Sequence, residues 1–227
     1  MLRSLMSAPA VHVVPIFATP FGVVTLPEAA TLNSALGTLL SQRAPPQWRA
    51  ARGPGALTFR SREDLCDWPE EPVHRLMSEI LSGVSAVAAS ISELAEKDLA
   101  ALRLDARAWF TLVRPEGCVP ARSYPNSSWL AVYCVSAPEP APVRVDSGVL
   151  RLYESRLGTM FQDPAGSTLR LPYRSGHCTW RPVPGNMAVF PAGLAHEIAL
   201  VRAPGTLILV SARVRFVGSG GAWMPPW

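Results

Sequence analysis

The spacing of hydrophobic residues changes near Ala106, and this change limits the folds open to the chain. Between Pro72 and Ala95, apolar side chains recur every three or four residues, which predicts a long amphipathic helix. A shorter helix is predicted over 28–42, with Pro27 near its start, and a loop over 43–55. After Ala106, short β-rich runs are separated by turns that contain Pro or Gly. Helices followed by a series of strands predict a helix-backed antiparallel sandwich rather than a βαβ array.

The predicted strands share β-branched and aromatic residues, and the chain is interpreted as one domain. An edge strand and the helical layer occupy 1–105, the β core occupies 106–217, and a flexible tail is expected over 218–227. The strands of the core are predicted at Trp109–Val113, Trp129–Val135, Val149–Tyr153, Met187–Phe190 and Leu207–Phe216.

Composition excludes several classes of protein. The apolar runs fall short of the roughly 18 residues that a membrane span needs, and no export signal is recognised, so a cytoplasmic protein is expected. The net charge of +4 comes from scattered arginines, with Lys97 the only lysine, which argues against a nucleic-acid partner. The four cysteines lack zinc or disulfide spacing and are predicted to be reduced and to act as small buried hydrophobes: Cys66, Cys118, Cys134 and Cys178.

Five segments follow one another along nearly the whole chain, and the most specific of them ends in Phe190-Pro-x-x-Leu-x-His196. The segments are 15–22, 109–117, 125–135, 148–153 and 185–196. In this order they resemble the 2-oxoglutarate/Fe(II) oxygenase family. The resemblance implies a mainly β fold, a double-stranded β-helix (jelly-roll, cupin-like) with N-terminal helices packed on one sheet.

The chain departs from that family where the cofactors would bind. The resemblance places the family's metal-binding pair on Arg122 and Tyr124 and its distal histidine on His196. A guanidinium offers no lone pair to a metal, so the degenerate site predicts no metal, or His196 alone as a ligand. The family's 2-oxoglutarate-anchoring arginine falls on Thr206, and strand alternation predicts that Arg213 points away from the pocket. Neither Fe(II) nor 2-oxoglutarate is therefore expected.

Three functions stay open. The first is a metal-independent enzyme of small-molecule metabolism, natural-product biosynthesis included, which catalyses an acid/base-driven rearrangement or cyclisation. In it Arg122 and Tyr124 stabilise an oxyanion while His196 moves a proton. The second is an Fe(II)/2-oxoglutarate oxygenase with rearranged ligands, His196 and His177 with an acid such as Asp146. The third is a catalytically silent pseudo-oxygenase that acts as a binding or partner protein.

The remaining expectations concern the substrate and the assembly. A small-molecule substrate is expected, and a homodimer or a heterodimer with an intact homologue stays open. Alternatively, Arg122 and Tyr124 only fill an abandoned cavity, with Arg122 paired to Glu197 or Asp146. The residues predicted to contact the substrate are Trp129, Tyr133, Arg151 and Thr206.

Overall fold

Two antiparallel β-sheets lie face to face, and helices cover the outer face of the larger one. The computed structural model of the chain describes residues 15, 18–50, 57–139, 145–154, 169–170, 172–173 and 176–218. Most of the predicted tail and the first part of the predicted edge strand lie outside these ranges. No helix within them is long and apolar enough to cross a membrane.

Within the described residues, ten strands build the two sheets. In chain order they are β1 (Gly22–Thr25), β2 (Thr58–Arg60), β3 (Arg103–Val113), β4 (Val119–Arg122), β5 (Trp129–Ser136), β6 (Leu150–Tyr153), β7 (His177–Trp180), β8 (Asn186–Pro191), β9 (His196–Ile198) and β10 (Leu207–Val217). The larger sheet has the order β1-β8-β5-β10-β3-β2, and the smaller sheet has the order β4-β9-β6-β7. The predicted helix-backed sandwich is confirmed. Among the strands, β2 and β9 were not predicted.

The helical layer consists of α1 (Ala29–Arg43), α2 (Pro46–Ala50), a 3₁₀ turn (Leu65–Asp67), α3 (Glu71–Ala89) and α4 (Glu96–Ala100). The loop predicted over 43–55 was therefore wrong at α2, where Pro46 occupies a first helical position that tolerates proline. The predicted end of α3 at Ala95 was also wrong. After Ala89 the Oγ of Ser90 donates to the carbonyl of Val87, and such local side-chain bonds compete with helical ones.

Two hydrophobic clusters divide the interior, and strand alternation decides which residues enter each. On β5, Trp129, Ala131, Tyr133 and Val135 pack toward the helices, whereas Leu130, Val132 and Cys134 pack between the sheets. Both faces of β5 are thus buried. The pocket described next lies between the sheets, so only the second set can approach it.

Candidate functional site

A cavity of about 50 Å³ opens between the two sheets, where β4 and β9 of the smaller sheet face β3 and β10 of the larger one. Its apolar wall comes from aliphatic side chains and an indole. Its charged lining consists of arginines, with no carboxylate among the lining residues in the described part of the chain. The polar side chains in its wall are Thr58, Arg60, Thr111, Arg122, Tyr124, His196 and Ser211.

His196 begins β9 and is buried, with 7% of its surface exposed. Its Nδ1 lies 2.9 Å from the carbonyl oxygen of Leu194. Because a carbonyl oxygen only accepts, Nδ1 donates and Nε2 of the neutral ring carries the lone pair. Burial lowers the pKa of His196 below its usual 6.5; the Leu194 bond opposes this shift and the charge of Arg122 adds to it. The imidazole is therefore neutral at pH 7.

Arg122 and Tyr124 stand beside this imidazole. Arg122 ends β4 and is the register partner of His196, and its Nε donates to the carbonyl of Pro120 at 3.2 Å. The ring of Tyr124 lies between that of Trp109, 5.2 Å away between centroids, and that of His196, 5.8 Å away. The structure thus brings the three predicted catalytic residues to one cavity; their chemical roles stay a prediction.

The four predicted substrate contacts do not line this cavity. Trp129 and Tyr133 lie on the face of β5 that packs against the helices, and the Tyr133 hydroxyl donates to Oδ1 of Asn33 at 2.7 Å. Arg151 lies on the outer face of the smaller sheet, where its guanidinium pairs with Glu197 at 2.5 Å. That pairing also overturns the alternative in which Glu197 binds Arg122.

Thr206 precedes β10, and the cavity-facing residues of that strand are Leu209 and Ser211. The expected orientation of Arg213 was wrong, because positions 209, 211 and 213 share one face. Its guanidinium lies 5.8 Å from the centre of the Tyr124 ring.

Sequence reasoning missed Arg60, which lies 62 residues before Arg122. It ends β2, faces the cavity and stacks over the Trp109 ring at 4.3 Å. The alternation of polar and aromatic residues in Thr58-Phe59-Arg60 is the signal that could have indicated a cavity-facing strand. Three residues are too few for that pattern to be decisive.

The donor set at this cavity does not fit an iron ion held by three protein ligands. His196 faces a guanidinium across the β4–β9 pair, and a cation beside the ring opposes the binding of another cation. His177 lies on the opposite face of the smaller sheet, beside Tyr153, and Asp146 is exposed. The rearranged ligand set is therefore not assembled. Within the described ranges, no three His, Cys, Asp or Glu side chains converge as a metal site would require.

The cysteine prediction was correct only in part. Cys134 is buried, Cys66 is half-buried, and Cys118 and Cys178 are exposed. Burial raises the pKa of Cys134 to about 12, so this thiol behaves as a small hydrophobe.

Solved structures with the same architecture define the class of fold. AviO1 from Streptomyces viridochromogenes Tue57 is similar at a TM-score of 0.54 and 13% identity, covering 92% of this chain and 94% of that one. A prolyl-4-hydroxylase from Pseudomonas putida gives a TM-score of 0.53 at 14% identity, covering 88% and 93%. SnoN, a non-heme alpha ketoglutarate dependent epimerase from nogalamycin biosynthesis, gives 0.53 at 13%, covering 91% and 88%.

The chain has the double-stranded β-helix fold of these oxygenase structures, as the sequence resemblance implied. No sequence model of a protein family matches the chain, and the comparison with curated proteins finds no match. At these identities the similarity establishes the fold, and function has to be argued from the site itself.

Proposed function

We propose that this chain is an enzyme that rearranges or cyclises a small molecule by proton transfer, with no metal in the reacting site. The observation that carries the proposal is a buried, neutral imidazole in register with a guanidinium. His196 can accept a proton at Nε2, and Arg122 supplies a permanent positive charge beside it.

The chemistry that fits these groups is removal of a proton from a carbon next to a carbonyl. Nε2 of His196 takes the proton, the electron pair of the broken C–H bond forms a C=C bond, and the π electron pair of the carbonyl moves onto its oxygen to give an enolate. Arg122 and the hydroxyl of Tyr124 stabilise the negative oxygen. His196 then returns the proton to the enolate, so the reaction needs no oxidant or reductant.

The cavity limits how much of a substrate can enter. A volume of 50 Å³ has room for about three to five non-hydrogen atoms, at roughly 10–15 Å³ for each water-sized group. Only the reacting end of a substrate is therefore enclosed. SnoN is named an epimerase, so this fold is already known in an enzyme that reconfigures a carbon centre, although one that depends on alpha ketoglutarate.

Hydrogen–deuterium exchange into simple carbonyl compounds tests the proposal without knowledge of the natural substrate. The protein is incubated in D₂O with EDTA and with pyruvate, 2-oxobutyrate or hydroxyacetone, and loss of the C–H signal is followed by proton NMR. We expect exchange above the buffer rate with at least one compound. His196→Gln is expected to lower that exchange by about 100-fold, the contribution typical of a general base. Arg122→Gln and Tyr124→Phe lower it less.

His177→Gln is the matched control, because this exposed histidine lies on the outer face of the smaller sheet. Its exchange rate is expected to equal that of the wild type. The proposal is contradicted by no exchange with all three compounds, by full exchange in His196→Gln, or by turnover that requires added Fe(II) and 2-oxoglutarate.

A second candidate is a protein that binds a small molecule without transforming it. The small volume of the cavity and the packing of Tyr124 between two rings favour this alternative. Binding of the carbonyl compounds without any exchange would select it over the enzyme.

A further inference from the structure

The charge of the cavity wall identifies the kind of group that it can hold. Arg60 and Arg122 line it from opposite sheets, and no Asp or Glu lines it within the described residues. Two guanidinium groups around a small space create a positive potential that attracts an anion. Four hydroxyl groups lie in the same wall. That of Thr58 donates to the carbonyl of Cys118, and those of Thr111, Tyr124 and Ser211 can donate hydrogen bonds to a ligand.

Arg60 is held in place by contacts that leave part of its guanidinium directed at the cavity. One face stacks over the Trp109 ring, and one Nη donates to Glu63 at 2.5 Å. Its Nε is buried and makes no hydrogen bond to the described residues. A buried donor of this kind gains the most from a ligand that accepts its hydrogen.

Glu63 fixes this arrangement from outside the cavity. Its two carboxylate oxygens accept from Arg60 and Arg213, and Arg213 in turn lies over the Tyr124 ring. One carboxylate therefore orients the guanidinium that faces the cavity and the one behind Tyr124. Because these side chains are already ordered, they lose less conformational entropy when a ligand binds.

From this geometry we infer that the cavity binds an oxyanion of the substrate, a carboxylate or a phosphate, between Arg60 and Arg122. The inference rests on the proposed function in one respect, that the atom to be deprotonated lies next to this group and faces His196. Planar guanidinium groups pair with both kinds of oxyanion through two parallel hydrogen bonds.

Calorimetric titration of the full chain tests this inference with acetate, pyruvate and inorganic phosphate, and with acetamide as the neutral counterpart of acetate. We expect at least one anion to bind, binding to weaken as NaCl is raised, and acetamide not to bind. Arg60→Gln and Arg122→Gln are each expected to weaken binding by about tenfold or more, as for hydrogen bonds to a charged group. Arg62→Gln, an exposed neighbour of Arg60, is the matched control and is expected to leave binding unchanged.

Two further variants separate the possible failures. Arg60→Lys keeps the charge but loses the planar fork, and it is expected to bind more weakly than the wild type and more tightly than Arg60→Gln. His196→Gln is expected to keep anion binding while losing exchange, so the inference can stand even if the proposed function fails.

Binding of phosphate alone assigns a phosphorylated substrate, and binding of acetate or pyruvate alone assigns a carboxylate. Equal binding of acetamide, or full binding in both Arg→Gln variants, overturns the inference.

Discussion

Replacing Tyr133 by Phe tests whether this residue is structural rather than part of the substrate site. Its side chain is fully buried, and its hydroxyl donates to Asn33, which joins α1 to the centre of the larger sheet. The substitution removes a hydrogen bond worth about 0.5–1.5 kcal/mol and leaves the Asn33 oxygen without its donor, so we expect a loss of about 1–2 kcal/mol. For a domain of this size, that loss lowers Tm by roughly 2–8 °C.

The pH dependence of stability provides a second test of the structural role of Tyr133. Burial raises the pKa of Tyr133 to about 12, against a usual value near 10. The folded chain holds the hydroxyl proton of Tyr133 more tightly than the unfolded chain does. The stability that this difference contributes to the folded state is therefore complete below pH 10 and is lost as the pH rises toward 12. We expect Tyr133→Phe to reduce this alkaline loss.

Urea unfolding of Tyr133→Phe, Asn33→Ala and the double variant measures the coupling, with Tyr173→Phe as the control outside both clusters. The exchange activity of Tyr133→Phe is expected to stay at the wild-type level. Unchanged stability together with lost exchange would refute the structural assignment and return Tyr133 to the substrate site.

Further predictions concern stability, thiol chemistry and pH. Gly37→Ala is expected to raise the free energy of unfolding by about 0.5–1 kcal/mol, because a Cβ on this helical residue meets nothing within 4 Å. Gly185→Ala is expected to lower it by about 1–3 kcal/mol, because φ is +88° and the Cβ would lie 2.9 Å from a side chain of α1. Equal effects of the two substitutions in urea unfolding would contradict both predictions. Ellman's reagent is expected to label Cys178 in the folded protein and to spare Cys134, and rapid labelling of Cys134 would contradict its burial. Exchange activity is expected to fall as His196 becomes protonated below pH 6.5. The stability that the neutral ring contributes is complete above pH 6.5 and is lost as the pH falls toward the lowered pKa of His196. A rise in activity on acidification would contradict the role of this base.

Much of the fold followed from periodicity, because each predicted core strand carries a run of side chains that bury on folding. The assignment of faces failed on β5 for a physical reason. Both of its faces are buried, so hydrophobicity alone cannot tell the face that meets the helices from the face that meets the cavity. Trp129 and Tyr133 were misplaced in this way. The prediction for Arg213 was wrong because it rests on a cavity-facing Thr206, whereas β10 begins only at Leu207 and turns Leu209 and Ser211 toward the cavity.

The candidate site was predictable where its residues lie in recognisable segments. His196 follows Phe190-Pro191, and counting back from Pro125 located Arg122 and Tyr124. Arg60 could not be found in this way. It reaches the cavity through the pairing of β2 with β3, a contact between distant parts of the chain that no local pattern encodes.

Nitrogen-15 NMR of histidine-labelled protein tests most directly whether the cavity holds a free base beside a guanidinium. We predict that the His196 ring is protonated on Nδ1 when neutral, titrates below pH 6.5, and titrates at higher pH in Arg122→Gln because a positive charge has been removed. Its signals should also be unaffected by anaerobic addition of one equivalent of Fe(II). A ring protonated on Nε2, or stoichiometric broadening of the His196 signals by Fe(II), would contradict this account.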